Sequence, residues 1–315
     1  MSNILISGLV NAETTVRVRQ FPIPYYPIDY PFFGVGTAAS GVAYNIALAL
    51  RTLGDDVNLL SMTGKDFPAD YIRYQLAEAG IDTANIRQNL TETPASVVLY
   101  DEQGQRQIYC DLKDIQEADY GFQETVCDGI DLVAACNINF NRPLLRLAKA
   151  AGKTIATDVH VLHDPYDDYN RDFMECADIL FLSDEGIGEC CRPFLEELAR
   201  IYGPRIIVLG RGSRGAAMYL REEGRFYELP AVTVGHVVNT VGAGDALFSG
   251  FVHYFAKGFH PLEALKRAQL FASAKICVSG ASKGFVTETE IEELYAKHLT
   301  PAACGIPSEN SPWLG

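Results

Sequence analysis

The chain has 315 residues, 48% of them hydrophobic and 21% charged, a mix that excludes wholesale disorder and leaves room for one large domain or two small ones. Against 40 acidic residues stand 26 basic ones, a formal net charge of −14, which argues against nonspecific nucleic-acid binding and against docking on anionic lipid. No run reaches the roughly 18 consecutive apolar residues of a membrane helix, and Met1–Val10 has no basic n-region, so no leader is expected.

Two kinds of segment alternate along the chain. Apolar and β-branched runs at Ile4–Ile6, Val57–Ser61, Leu132–Ala135, Thr154–Thr157, Ile179–Leu182 and Ile206–Leu209 read as strands. Between them lie helix-like stretches: Asn45–Leu53, Pro68–Ala79 with Gly80 as a stop, Leu144–Ala151 before Gly152, and Phe194–Tyr202 before Gly203. The alternation predicts an α/β fold, a doubly wound, mostly parallel sheet with helices on both faces. Residues 11–36 hold four prolines and no helical period, and residues 96–110 read as a hairpin about Asp101–Gln105. Both are expected outside the main sheet, as a small β-lid over a cleft or as ordinary loops and edge strands. Residues 1–300 are read as one domain and 301–315 as a C-terminal extension.

The chemistry concentrates in Asn239–Phe248. The apolar run Val237–Val238 reads as a strand leading into Gly242-Ala243-Gly244-Asp245, and a helix follows from Ala246 to Ala256. Glycines leave backbone N–H groups uncovered, and a helix N-terminus favours an anion, so the turn suits a phosphoryl group. A carboxylate in the same turn is placed to take a proton from an attacking hydroxyl. The alternative is that Asp245 merely caps the helix.

Asn239–Asp245 resembles the D-T-x-G-A-G-D signature of the ribokinase-like (pfkB) carbohydrate kinases. Gly8–Glu13 is similar to that family's first strand and substrate-contacting turn. Ser40–Asn45 resembles its Gly-Gly-x-x-x-Asn segment, Gly64–Phe67 with Gly80–Asp82 its G-x-D-x-x-G … G-V-D frame, and Leu209–Gly215 its nucleotide-contacting turn. The resemblance implies a ribokinase-like fold and transfer of the ATP γ-phosphoryl group to a hydroxyl of a sugar or nucleoside. Asp245 is then the general base, and the amides of Gly242, Ala243, Gly244 and Asp245 form the anion hole. Asn11, Glu13, Gly41 and Asn45 are the expected substrate contacts, and Gly210, Gly212, Ser213 and Gly215 the expected ATP contacts. The implied cofactors are ATP and Mg²⁺, with K⁺ a further candidate.

Several positions depart from the family pattern. The aspartate that in relatives helps hold a monovalent cation is Asn239 here, which counts against K⁺. Glu13 replaces an aspartate, Ser40 the first glycine of the pair, and Ala69 the second glycine of its frame. Val42 stands where ribokinases proper carry lysine; Glu13, Ser40 and Val42 argue against ribose itself. Ser183–Gly186 lacks the Asn and Glu of the family's N-x-x-E motif, so Asp184 or Glu185 is the candidate Mg²⁺ support, directly or through water. These departures motivate an alternative, a catalytically silent sugar- or nucleoside-binding protein on the same fold.

Other features carry less. Gly210–Gly215 fits G-x-G-x-x-G but runs into the strand-like Ala216–Leu220 instead of a helix, which argues against a dinucleotide site. Gly152-Lys153-Thr154 lacks the earlier glycine of a P-loop. Asp158–Asp164 reads as a cleft-lining or surface loop before it reads as a metal site. Arg17 and Arg19 suit either an anionic substrate under the lid or a solvated face. His236, His253, His260 and His298 form no pattern. The eight cysteines (Cys110, Cys127, Cys136, Cys176, Cys190, Cys191, Cys277, Cys304) form no CxxC pair and are expected to be reduced thiols of a cytoplasmic protein. Tyr25, Tyr26, Tyr30, Phe32 and Phe33 would stack on a base, pack the lid, or cover a homodimer contact formed through the lid.

Overall fold

The computed structural model describes residues 1–188, 191–278 and 280–299; the expected extension 301–315 lies outside them, as do Cys190 and Cys304. In chain order the elements are β1 (Asn3–Ser7), β2 (Asn11–Arg17), β3 (Val35–Ser40), α1 (Val42–Leu53), β4 (Asp56–Thr63), α2 (Phe67–Glu78), β5 (Ile86–Gln88), β6 (Ala95–Tyr100) and β7 (Arg106–Asp111). Then come β8 (Leu132–Ala135), α3 (Arg142–Ala150), β9 (Thr154–Val161), α4 (Arg171–Cys176), β10 (Ile179–Ser183), α5 (Cys191–Tyr202), β11 (Ile206–Gly210), β12 (Ala216–Leu220), β13 (Arg225–Leu229), α6 (Ala243–Ala256), α7 (Pro261–Lys275) and α8 (Glu288–His298).

Nine strands form the main sheet in the order β13-β12-β11-β10-β9-β8-β1-β4-β5. Its pairings from β5 to β11 are parallel, while β12 and β13 add antiparallel. Alternation along each strand feeds two cores. Ile4 and Ile6 face α1, α6 and α7, whereas Leu5 faces the side covered by α3, α4 and α5. Ile179 and Phe181 of β10 divide from Leu180 and Leu182 in the same way. Phe181 meets Phe248 and Phe251 of α6 edge-on, at 5.1 and 5.3 Å between ring centroids. This is the doubly wound sheet that the alternating pattern predicts. No helix among the described residues is long and apolar enough to cross a membrane.

The four-stranded second sheet, β3-β2-β6-β7, is the lid. Its register sets Asn11 opposite Ser40 and Glu13 opposite Ser96, so polar residues collect where the lid joins the core. Two expectations need correction. Residues 11–36 are not strand throughout: β2 ends at Arg17, residues 18–34 form no strand, and β3 runs on to Ser40. Arg19 therefore leaves the strand and pairs with Asp29 at 2.6 Å under a cation–π contact with Tyr26. Val237–Val238 is not a strand either. The Val238 and Asn239 amides bond the Ile276 carbonyl at the end of α7, at 2.8 and 3.2 Å, and are thereby drawn away from a sheet edge.

A buried polar pair fastens α6 to the turn after α1. His253 Nδ1 lies 2.7 Å from Asp55 Oδ2, and both side chains are almost completely buried. Asp55→Ala leaves His253 without that partner. Chemical denaturation is expected to show a loss of about 1–3 kcal/mol; an unchanged midpoint would refute the assignment.

Candidate active site

Asp245 sits in the first turn of α6, whose N-cap, Gly242, has φ +79° and offers no side-chain cap. The N-cap residue therefore offers no side chain to the first amides of this helix. The Ala243 N–H donates to the Thr240 carbonyl at 3.2 Å, which removes it from the expected anion hole. The N–H groups of Gly242, Gly244 and Asp245 have no hydrogen-bond partner among the described residues. Space is also left over: a side chain at Gly244 would meet nothing within 4 Å. Free amides, a helix N-terminus and open volume together fit a phosphate.

Across this turn stands the head of α1. Gly41 has φ +107°, and a Cβ there would lie 2.5 Å from the Leu9 carbonyl oxygen, so only glycine lets α1 begin this close to the chain leaving β1. One turn on, Asn45 Nδ2 donates to Asp245 Oδ2 at 2.7 Å. Burial raises the Asp245 carboxyl to about 6, against the Asn45 hydrogen bond and the positive fields of His160 and Lys275. Asp158 adds to the upward push. A carboxyl poised there is charged at neutral pH and still basic enough to accept a proton.

The other expected substrate contacts gather at the lid base. Asn11 Nδ2 donates to Ser96 Oγ at 2.9 Å, and Ser40 Oγ donates to Glu13 Oε2 at 3.1 Å. Burial pushes the Glu13 carboxyl up, while the Ser40 hydrogen bond and Lys275 oppose it. Asn11 and Asn45 are 3% and 4% exposed. Yet Asn11 Oδ1 and Asn45 Oδ1 have no hydrogen-bond partner, which leaves two buried acceptors suited to hydroxyl donors.

At the expected ATP contacts, Gly210 ends β11 and a side chain on it would lie 3.7 Å from Leu247 of α6, so this turn starts beside the cradle. Gly212, Ser213 and Arg214 make one 3-10 turn closed by Gly215, whose φ of +91° brings it against the Leu229 carbonyl. Ser213 is exposed, and Arg211 holds the turn to Glu228 of β13 at 2.6 Å. Asp184 is committed to an ion pair with Arg214, whereas Glu185 is exposed. No three His, Cys, Asp or Glu side chains among the described residues converge as a metal cage. His160 takes a left-handed φ of +58° at the end of β9, and its N–H bonds Asp158 at 2.8 Å. Both residues act electrostatically on Asp245.

Sequence reasoning missed Lys275. Its position four residues after Phe271 and seven after Ala268 places it on the apolar stripe of α7, and that was the available signal. It also gave no role to Cys136, which faces the same centre. Burial, with Asp245 and Asp158 nearby, pushes this thiol up, which makes it an inert packing group. The six described cysteines are all free.

The profile of the pfkB family carbohydrate kinases matches residues 3–288. The chain is 28% identical over 262 residues to the ATP-dependent ribose-1-phosphate kinase of Halopiger xanaduensis, covering 80% of this chain and 84% of that one. It is 26% identical over 281 residues to the cytidine kinase of Thermococcus kodakarensis, covering 86% and 94%. Among solved structures, a microbiome-derived acarbose kinase superposes with a TM-score of 0.84 at 23% identity, covering 94% of this chain and 99% of that chain.

Proposed function

This chain belongs to the pfkB family carbohydrate kinases and is a phosphotransferase with an alcohol acceptor; from that premise we propose ATP as phosphoryl donor, a sugar or nucleoside hydroxyl as acceptor, and Asp245 as general base. One observation carries the reading. The 2.7 Å hydrogen bond from Asn45 joins the substrate-side helix to a carboxylate at the mouth of the free-amide cradle. A hydroxyl held near Asn45 and an anion held by the cradle would both reach Asp245.

In this reading the acceptor oxygen attacks the γ-phosphorus and gives its proton to Asp245. The bond to the β–γ bridging oxygen breaks, and ADP leaves with the electron pair. The Gly242, Gly244 and Asp245 amides stabilise charge on the transferring group. Asn11, Glu13, Gly41 and Asn45 hold the substrate, and the Gly210–Gly215 turn holds the nucleotide. Mg²⁺ bound to ATP would neutralise phosphate charge; Glu185 would support it through water, while Asp184 serves Arg214. The lid would keep bulk water from the γ-phosphate. Residues 1–300 act as one catalytic domain in this account.

The test is ADP release with Mg·ATP across hexoses, pentoses, sugar phosphates and nucleosides. Turnover that Asp245→Asn suppresses is expected. Tight ligand binding with no ADP release for any acceptor would favour the silent binding protein instead.

We also propose a homodimer formed lid to lid. Every residue of β7 is exposed, including Ile108 and Tyr109, and Tyr30, Phe32 and Phe33 lie exposed on the 18–34 segment that links β2 to β3. Water contact over so much apolar surface is unusual for a monomer. Sedimentation at micromolar concentration is expected to give twice the chain mass; a monomer would refute the contact.

A further inference from the structure

Lys275 ends α7 and is fully buried. An ammonium so placed is tolerated only where charges or carbonyls replace its water. Here Nζ donates to the Val241 carbonyl at 2.5 Å and the Gly280 carbonyl at 2.6 Å. Val241 is the residue before the cradle's N-cap, and Gly280 precedes Ala281, whose carbonyl oxygen would lie 2.6 Å from a Cβ on Gly242. One ammonium therefore pins both walls of the turn that presents the free amides. Asp245 and Glu13 lie within its electrostatic reach.

Two carbonyl oxygens converging on a buried positive charge are also what a bound monovalent cation requires. Asn239 supplies no charge toward such an ion, because its side chain is neutral and its Oδ1 accepts the Val241 N–H at 2.7 Å. With Nζ already on the Val241 and Gly280 carbonyls, K⁺ does not fit them. We propose that the Lys275 ammonium is a tethered substitute for a monovalent cation, a positioning residue that holds the phosphate-binding turn and frees this enzyme from K⁺. The proposal rests on the kinase reading for its effect on rate, but not for its effect on stability.

The wild-type protein decides first. At a constant ionic strength of about 0.1 M, where surface charges are well screened, turnover and melting temperature are expected to be the same in K⁺, Na⁺ and choline salts. A specific rise of either in K⁺ would overturn the proposal. Lys275→Ala removes the ammonium and opens its space. It should lower kcat by about 10²-fold, the scale set by displacing a positioned group. K⁺ or NH₄⁺, but not choline, should raise both its kcat and its melting temperature in a saturable way. A Lys275→Ala protein that keeps full kcat, or that loses it without any cation response, would also overturn the proposal. If Lys275→Ala does not fold, the wild-type cation comparison decides alone. If no acceptor is turned over, the melting series still tests Lys275, and only the kinase reading fails.

Discussion

Asp245→Asn is expected to lower kcat by about 10²–10⁴-fold, the usual worth of a positioned general base, with KM for ATP little changed. The substitution keeps the shape of the side chain and an oxygen to accept the Asn45 hydrogen bond, so the turn should hold. Burial raises this carboxyl to about 6. The basic form must carry the reaction, so kcat/KM of the wild type should fall as pH drops through about 6, and Asp245→Asn should lose that limb. Stability should move the other way. A carboxyl whose pKa is raised on folding stabilises the fold when protonated, and that contribution is lost as pH rises through about 6. At pH 7 the variant should therefore melt no lower than the wild type, as expected where a site is built for chemistry at some cost in stability. Asp158 is the obvious rival base. It acts on Asp245 from within β9, so Asp158→Asn should shift the acid limb and leave most of kcat. Full activity in Asp245→Asn would remove this residue from the mechanism.

The sheet was legible because most of its buried strands are short apolar runs and several covering helices end at a left-handed glycine, such as Gly54 after α1 and Gly80 after α2; α4 and α7, which end without one, were not legible. In the lid, the hairpin about Asp101–Gln105 was legible to within a residue as β6 and β7, whereas the 11–36 segment was not, because β2 ends at Arg17 and the proline-bearing residues 18–34 carry no alternation to read. Val237–Val238 misled for a related reason: β-branched composition fits a strand, but the available partner was the end of α7. In the site, the Gly-Ala-Gly-Asp run revealed the cradle, yet not that the Ala243 amide is already used by Thr240. Lys275 lay hidden because a lysine on an apolar stripe looks like a snorkelling surface residue until its carbonyl partners, Val241 and Gly280, are brought to it by the fold. The Asp184 carboxylate likewise could not be assigned to Arg214, thirty residues away, from local spacing.

Gly242 and Gly244, two residues apart, separate folding from catalysis at this turn. Gly242 has φ +79°, and a Cβ there would lie 2.6 Å from the Ala281 carbonyl oxygen. Gly242→Ala is therefore strained twice, by about 1–2 kcal/mol from the left-handed conformation alone and further by a backbone contact that cannot rotate away. Either the turn or the segment at Ala281 must shift, and Lys275 couples the two through Val241 and Gly280. Both melting temperature and kcat should fall, kcat by about 10²-fold as the Gly244 and Asp245 amides leave their positions. Gly244 lacks both constraints: its φ is not left-handed and a Cβ there meets nothing within 4 Å. Gly244→Ala should melt with the wild type. Its methyl group, however, would stand in the open volume beside the free amides, where the cradle reading puts a phosphoryl oxygen. Turnover should then drop by about 10-fold or more without loss of stability, since one obstructed or displaced donor is worth at least that much. Equal activity in Gly244→Ala and wild type would mean that the open space is not where the phosphoryl group sits, even if Gly242→Ala is inactive.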